Sequence, residues 1–268
     1  MKSIIKTGAM LVLTVLFTGL ISAQNSQQLV IPLSNANESG VLDVNILSGS
    51  IKVVGSTAKD VIITVSSDQK KVEDTSKNGL KRIPNNSFGL TAQEENNHVK
   101  IKTEFNTKNV IMEIKVPQNF GLKLRAVNDG DIEVENVNGE MEINHVNGEI
   151  TLTDVSGSAM VNTMNGDIKV NFKDITQNTP MAFTTFNGDV DVTFPADLKA
   201  SVKMQSSMGE IYTDFDMVMK KSAPKEEKNS AEGVYKISIE EWVNGDINGG
   251  GPEMTFKNFQ GDIIIRKN

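Results

Sequence analysis

Five glycines, Gly130, Gly139, Gly148, Gly157 and Gly166, follow one another at intervals of nine residues. Each opens or sits within a short motif of the form Asn-Gly-(Asp/Glu)-(apolar). A fixed period marks a repeat architecture, because one short unit cannot bury its apolar side alone and must stack on its neighbours. The units read Val137-Asn138-Gly139-Glu140-Met141-Glu142-Ile143 and Val146-Asn147-Gly148-Glu149-Ile150-Thr151-Leu152, then Val155-Ser156-Gly157-Ser158-Ala159-Met160-Val161 and Met164-Asn165-Gly166-Asp167-Ile168-Lys169-Val170. Positions one, five and seven are apolar in all of these. Positions five and seven lie two apart and share one face of a strand. The Asn-Gly or Ser-Gly pair supplies a corner, since glycine and asparagine tolerate the positive φ that β-branched residues resist.

Further copies surround Gly49, Gly188, Gly209, Gly245 and Gly261. Two topologies fit a corner followed by a short strand. Asn-Gly between alternating strands is a strong hairpin signal and would give an antiparallel meander or sandwich. The other topology is a β-solenoid, with two short strands and two corners in each coil of about 18–22 residues. Gly188 follows Gly166 by 22 residues and Gly209 follows Gly188 by 21, intervals that a two-strand coil explains. The fold expected is therefore all-β and solenoid-like, with the antiparallel arrangement as the alternative.

Upstream of the repeats the chain still alternates with period two, as in Leu42-Asp43-Val44-Asn45-Ile46, Ile51-Lys52-Val53 and Ile111-Met112-Glu113-Ile114-Lys115-Val116. Such runs bounded by Gly, Asn and Pro read as half-buried strands. Three regions are expected: a leader over residues 1–23, a less regular β region over 24–126, and the repeat solenoid over 127–268. A polar insertion is expected near 68–97 and a mobile loop near 220–233, both charged and poor in large apolar anchors.

The leader reads as a secretory signal peptide. Lys2 and Lys6 precede an apolar run softened by Thr14, Thr18 and Gly19, and Ala23 offers a small residue for cleavage. The run is shorter than the roughly 20 apolar residues that span a bilayer, so no integral membrane segment is expected after cleavage. Cysteine is absent from the whole sequence, which excludes disulfides, thiol catalysis and cysteine metal sites. Formal charge is −7, and removal of two leader lysines takes it to −9. An acidic balance argues against nucleic acid and against anionic lipid surfaces.

The stretch 111–134, with Met112-Glu113-Ile114-Lys115-Val116-Pro117 running through Leu122-Lys123-Leu124 into Asn128-Asp129-Gly130-Asp131-Ile132, carries a resemblance. With the following Asn-Gly-Asp/Glu units and Phe194-Pro195-Ala196-Asp197-Leu198, it resembles the bacterial "putative adhesin" family of exported β-strand-repeat proteins. The resemblance covers about residues 40–268. It implies a β-helix-like domain and an envelope location, and it supplies no catalytic, metal or cofactor residues. The chain departs from the pattern in its two polar insertions and in Asn248-Gly249-Gly250-Gly251-Pro252.

Several residue sets invite a chemical reading. Carboxylates after the glycines (Asp131, Glu140, Glu149, Asp167, Asp189, Glu210, Asp246, Asp262) suggest calcium, which takes six to eight oxygens. The Gly-Gly-x-Gly-x-Asp nonapeptide is missing, so their expected role is to complete corner hydrogen bonds. Asn138, Asn147, Asn165, Asn187 and Asn244 are expected to stack as an amide ladder. His98 and His145 read as separate surface histidines. Glu133 and Glu135 share an outward strand face. Phe172, Phe186, Phe194 and Phe259 at unit ends read as core, while Trp242 and Tyr212 are the two candidates for a carbohydrate platform. No nucleophile elbow, phosphate loop, dinucleotide fingerprint or zinc-protease helix is present.

No catalytic, cofactor or metal residues are therefore assigned. The expected protein is not an enzyme. It is an exported adhesin or structural scaffold of the periplasm or cell surface, whose partner is an envelope protein or a glycan. The alternatives are a periplasmic sensing or regulatory partner of an envelope-stress system and a polysaccharide-acting enzyme of the β-helix type. Cell fractionation separates adhesin from periplasmic partner, and reducing-sugar release tests the enzyme.

Overall fold

The computed structural model describes residues 26–67, 88–104, 109–220, 225–229, 234–238 and 242–268. The expected leader lies outside them, as do residues 68–87 of the first insertion. All regular elements among the described residues are strands.

Pairing is parallel through the body of the molecule, as a solenoid requires. Each coil contributes one strand to a front sheet and one to a back sheet. In the repeats, Asn138–Asn144 lies in front, and the first residues of Ile150–Asn162 lie at the back beside Ile132–Glu135. The remainder of Ile150–Asn162 returns to the front, and Ile168–Ile175 follows at the back. Equivalent positions stack in register: Leu122, Met141 and Val161's neighbour Ala159 in front, and Ile132, Ile150, Ile168, Val190 and Ile263 behind. These side chains are fully or almost fully buried between the sheets. Burial of each is worth about 1.5–3 kcal/mol for a full-sized aliphatic side chain.

The spatial order of coils departs from chain order at both ends. Eight coils stack, the outermost formed by His98–Thr103 with Val110–Pro117. The long strand Gly40–Ser56 supplies both halves of the second coil, between that one and the third coil formed by Phe120–Asn128 with Ile132–Glu135. The repeats give the fourth and fifth, and Met181–Thr184 with Val190–Phe194 the sixth. The last chain segment, Glu253–Gln260 with Ile263–Lys267, then slots in as the seventh coil. Outside it lies the eighth, Ala200–Met208 with Ile211–Thr213.

This interleaving closes the column. At one end Val61–Ser67 runs antiparallel to Val110–Pro117, and Ser26–Ile31 pairs in turn with Val61–Ser67. Leu90–Glu95 covers the front strand of the same coil. At the other end Val243–Ile247 covers Ala200–Met208, and Met217–Lys220 pairs with it. Antiparallel strands thus occur where parallel stacking stops and an open edge would recruit another chain.

Two expected loops contain strands. Leu90–Glu95, within the insertion expected near 68–97, pairs with His98–Thr103 through a turn whose Asn96 and Asn97 have φ of 53° and 60°. Two consecutive positive-φ residues make the tight turn that matches strand twist. In the loop expected near 220–233, Lys225–Asn229 pairs antiparallel with Val234–Ser238. The other residues of that loop, 221–224 and 230–233, lie outside the described residues.

The core changes character along the column. The first coils bury Val, Ile and Leu, whereas coils five to seven bury a phenylalanine cluster. Phe172 stacks on Phe194 with centroids 5.2 Å apart, and Phe183 stacks on Phe256 at the same separation. Phe183 and Phe194 meet edge to face at 6.3 Å.

Candidate interaction edge

The nine-residue period hides two different corners. Successive repeat glycines alternate between them, so Gly130, Gly148 and Gly166 stack on one edge while Gly139 and Gly157 stack on the other. The first edge turns the chain from front to back and also holds Gly49, Gly188, Gly261 and Gly209. It is called the asparagine edge here. The second turns it from back to front, with Val137 and Val155 buried at position one, and is called the valine edge.

At the asparagine edge the asparagine side chains are hydrogen-bonded from coil to coil. The amide Nδ2 of Asn147 donates to Asn128 Oδ1 at 3.0 Å, Asn165 to Asn147 at 2.8 Å, and Asn187 to Asn165 at 2.7 Å. The expected ladder therefore exists, with Asn128 at its foot. Asn138 belongs to the other edge, where it donates to Asn119 Oδ1 at 3.0 Å, and Asn244 sits in the strand Val243–Ile247 that caps the eighth coil. Carboxylates after the glycines accept backbone N–H groups from the next coil: Glu149 to Asp131 at 2.8 Å, Asp189 to Asp167 at 3.0 Å, Asp262 to Asp189 at 2.8 Å, Glu210 to Asp262 at 2.9 Å. Among the described residues no group of three or more His, Asp or Glu side chains is arranged to hold a metal ion.

A second ladder runs beneath the first, and the sequence reading missed it. His145 Nε2 lies 2.7 Å from Gly130 O, Thr163 Oγ1 donates to Gly148 O at 3.2 Å, and Thr185 Oγ1 donates to Gly166 O at 3.0 Å. Asn258 Nδ2 donates to Gly188 O at 3.2 Å and Ser206 Oγ to Gly261 O at 2.9 Å. Each side chain ties its own corner to the glycine carbonyl one coil away. The signal was present in the sequence, three residues before each corner glycine, but His, Thr, Asn and Ser share no side-chain class beyond hydrogen-bond donation. His145 is consequently buried, not a surface histidine, and its Nδ1 accepts Val146 N–H at 2.8 Å, which leaves the Nε2 proton to donate. His98 stays exposed on the first coil, 4.0 Å from Asp43 Oδ2.

Position one behaves oppositely at the two edges. Val137 and Val155 are fully buried. On the asparagine edge the equivalent residues point outward: Leu47 is 38% exposed, Met164 54%, Phe186 51% and Phe259 42%. Phe186 and Phe259 stack on each other, with centroids 4.8 Å apart and planes within 6°. They are surface residues, contrary to the core role expected for them, whereas Phe172 and Phe194 are core. From the second coil to the seventh, through the half-buried Val127 and Val146 of the third and fourth, this apolar stripe extends about 24 Å at ~4.8 Å per coil, and the equivalent residue of the eighth coil is Ser207.

Beside the stripe, coils five to eight leave a groove of about 400 Å³ lined by Met164, Phe186, Phe259, Thr185, Gln205 and Lys257. Asn258 also lines it, and its Oδ1 is buried without a hydrogen-bond partner. Lys203 Nζ lies 4.3 Å from the centre of the Trp242 ring and Lys257 Nζ 5.9 Å from it. Trp242 therefore belongs to the front sheet's surroundings, while Tyr212 is exposed on the back-sheet strand Ile211–Thr213. The two candidates for a platform are not brought together.

Elsewhere the outer faces carry cross-coil ion pairs. Lys52 meets Glu133 at 2.8 Å, Arg125 meets Glu142 at 2.8 Å, and Arg266 forks onto Asp191 at 2.8 and 3.0 Å. The hydrogen bond from Glu133 holds the Lys52 ammonium above its ordinary pKa. At the far cap, hydrogen bonds from Lys220 and then Ser201 hold the Asp246 carboxyl below its usual range. These pairs are solvated and contribute little individually to stability.

Among curated proteins, none matches the chain. A crystal structure described as a putative cell adhesion protein from Clostridium sporogenes aligns over 91% of this chain and 99% of its own, at 11% identity and a TM-score of 0.44. One described as a putative adhesin from Bacteroides fragilis aligns over 91% and 97%, at 12% identity and a TM-score of 0.41. The stacked two-corner coil, with its Asn-Gly turns, runs through most of the sequence, and the chain belongs to the Toastrack DUF4097 family, whose model matches residues 8–248.

Proposed function

We propose that this protein is an exported, non-catalytic interaction module of the cell envelope, and that its asparagine edge faces the partner. The observation that carries this reading is the one-sided row of outward apolar residues, Leu47, Met164, Phe186 and Phe259. Exposed hydrophobics scattered elsewhere, such as Ile111, Met160 and Val218, need no explanation, but outward apolar residues at the same position of successive coils, as at Met164, Phe186 and Phe259, are the mark of a contact surface. Asp131, Asp167 and Asp189 support the same reading, because each accepts a backbone N–H from the next coil, a structural role that accounts for its place after the glycine. The stacked rings of Phe186 and Phe259 cover each other's faces, which favours a protein partner over a sugar that would need an open ring face.

The leader-like sequence over residues 1–23, two lysines before an apolar run and a small residue at Ala23, supports export. Its test is the mass of the chain recovered outside the cytoplasm: a chain beginning at Gln24 is expected, and a retained leader sinks the export reading. Surface display and periplasmic residence are separated by protease accessibility on intact cells. The edge itself is tested with a photo-crosslinking residue at Phe186 and, as a control, at Ser156 on the valine edge. A discrete adduct from position 186 alone is expected; equal adducts from both positions, or none, remove the proposal.

A further inference from the structure

The geometry points to the groove beside Phe186 and Phe259 as a binding site for a soluble single-chain amphiphile with an anionic head. The inference goes beyond the protein-contact reading of the asparagine edge and stands on the groove's own lining. The groove's volume of about 400 Å³ falls within the range of small-molecule sites. Its apolar side is made by Met164 and by the edges of the Phe186–Phe259 stack. Ring edges and a thioether offer dispersion contact to an aliphatic chain but no face for a sugar ring. A chain laid along the stripe meets the same apolar position once per coil.

The head group is specified by charge. Lys257 lines the groove, and among the described residues no carboxylate lies within salt-bridge reach of it or of Lys203. On the outer front face of coils six to eight the neighbours of Lys257 are Thr184 and Gln205, in the paired registers Thr184↔Lys257 and Gln205↔Lys257. Lys203, opposite Thr255 on the neighbouring strand, and Lys257 both bring their ammonium groups to the Trp242 ring, so the outer front face of coils seven and eight carries two cations. An anion placed at Lys257 has the ammonium, the Gln205 amide and the Thr184 hydroxyl within its surroundings, while its chain runs over Phe259 and Phe186 toward Met164. Charge-assisted contacts of this kind select sign more than they add raw affinity.

Trp242 is the only tryptophan in the sequence and lies 5.9 Å from Lys257 Nζ, so its emission reports on the site. The test titrates the full chain with laurate, dodecyltrimethylammonium and dodecyl maltoside below their micelle concentrations. Laurate is expected to shift Trp242 emission saturably, at least about tenfold more tightly than the cationic chain. Lys257→Gln should remove that preference, and Phe186→Ser should weaken all three chains alike; both positions face solvent, and circular dichroism verifies that the variants fold. Absence of saturation by laurate, equal binding of the cationic chain, or an unaltered preference in Lys257→Gln overturns the proposal. So does sedimentation with phosphatidylglycerol vesicles in place of saturable laurate uptake, which would assign the groove to a membrane surface. Crosslinking from position 186 is independent of these titrations: an adduct without laurate binding defeats the ligand and leaves the edge standing, and the absence of an adduct with laurate binding does the reverse.

Discussion

The two edges of the column are built from one nine-residue repeat, yet they differ in almost every chemical respect. At the valine edge, positive φ falls on Asn136 and Asp154 just before a valine that turns inward, in addition to Gly157 after it. At the asparagine edge, positive φ falls on the glycine itself, as at Gly130, Gly166 and Gly188, and the residue at position one turns outward. A shift of the tight turn by a few residues along the repeat reverses which side of the chain position one occupies, as any change of register does in extended structure. One edge is therefore an extension of the core. The other is a surface with an amide ladder, a buried donor ladder and an apolar stripe.

The largest effect expected concerns what the edges share. Gly166 has φ of 154° and a Cβ there would lie 2.1 Å from Gly148 O; Gly157 has φ of 114° and a Cβ there would lie 2.1 Å from Gly139 O. Gly166→Ala and Gly157→Ala should each cost about 3 kcal/mol in denaturant unfolding. A loss below about 1 kcal/mol at either site would show that the coils spread to admit a side chain there.

Position one separates the edges. Val155→Ala should destabilise by about 2 kcal/mol through loss of buried volume, whereas Met164→Ala should stay within about 0.5 kcal/mol. Equal costs at the two positions would erase the distinction between core edge and surface edge. The donor ladder comes next: His145→Ala should cost about 1.5 kcal/mol, and His145→Thr should recover part of it because Thr163 and Thr185 already make the same bond in later coils. Failure of threonine to recover anything would mean that the ring is needed for packing and not for its proton. The smallest effect is expected on the outer ladder, where Asn165→Ala breaks its bonds to Asn147 and Asn187 for about 0.5–1 kcal/mol at an exposed site. A null result in thermal unfolding would demote the amide ladder to ornament.

Much of this was legible before any coordinates. Gly188, 22 residues after Gly166, and Gly209, 21 residues after Gly188, pointed to two strands and two corners per coil, and the parallel registers agree. The corner role of Asp131, Asp167 and Asp262 followed from their place after glycine. The fate of Phe186 and Phe259 did not, because a phenylalanine at a unit end is equally compatible with either side of the chain until the turn is placed. His145 was missed for a related reason: a lone histidine in sequence carries no sign of the carbonyl that will stand above it. The candidate site was illegible altogether, since Lys257, Gln205 and Met164 are far apart in the chain and meet only after coil seven slides between coils six and eight.

What the sequence determined by itself is the coil: its length, its two corners, its alternation of buried and wet residues. These are local consequences of φ preferences and a two-residue side-chain period. What only the tertiary structure decided is the order of the coils and the direction of position one. Both depend on which backbone segment arrives alongside another, and many coils with equivalent apolar faces can accept the same neighbour. The chain resolves that degeneracy at its ends, where antiparallel strands cover the outermost coils and leave a single place for the segments 40–56 and 253–267.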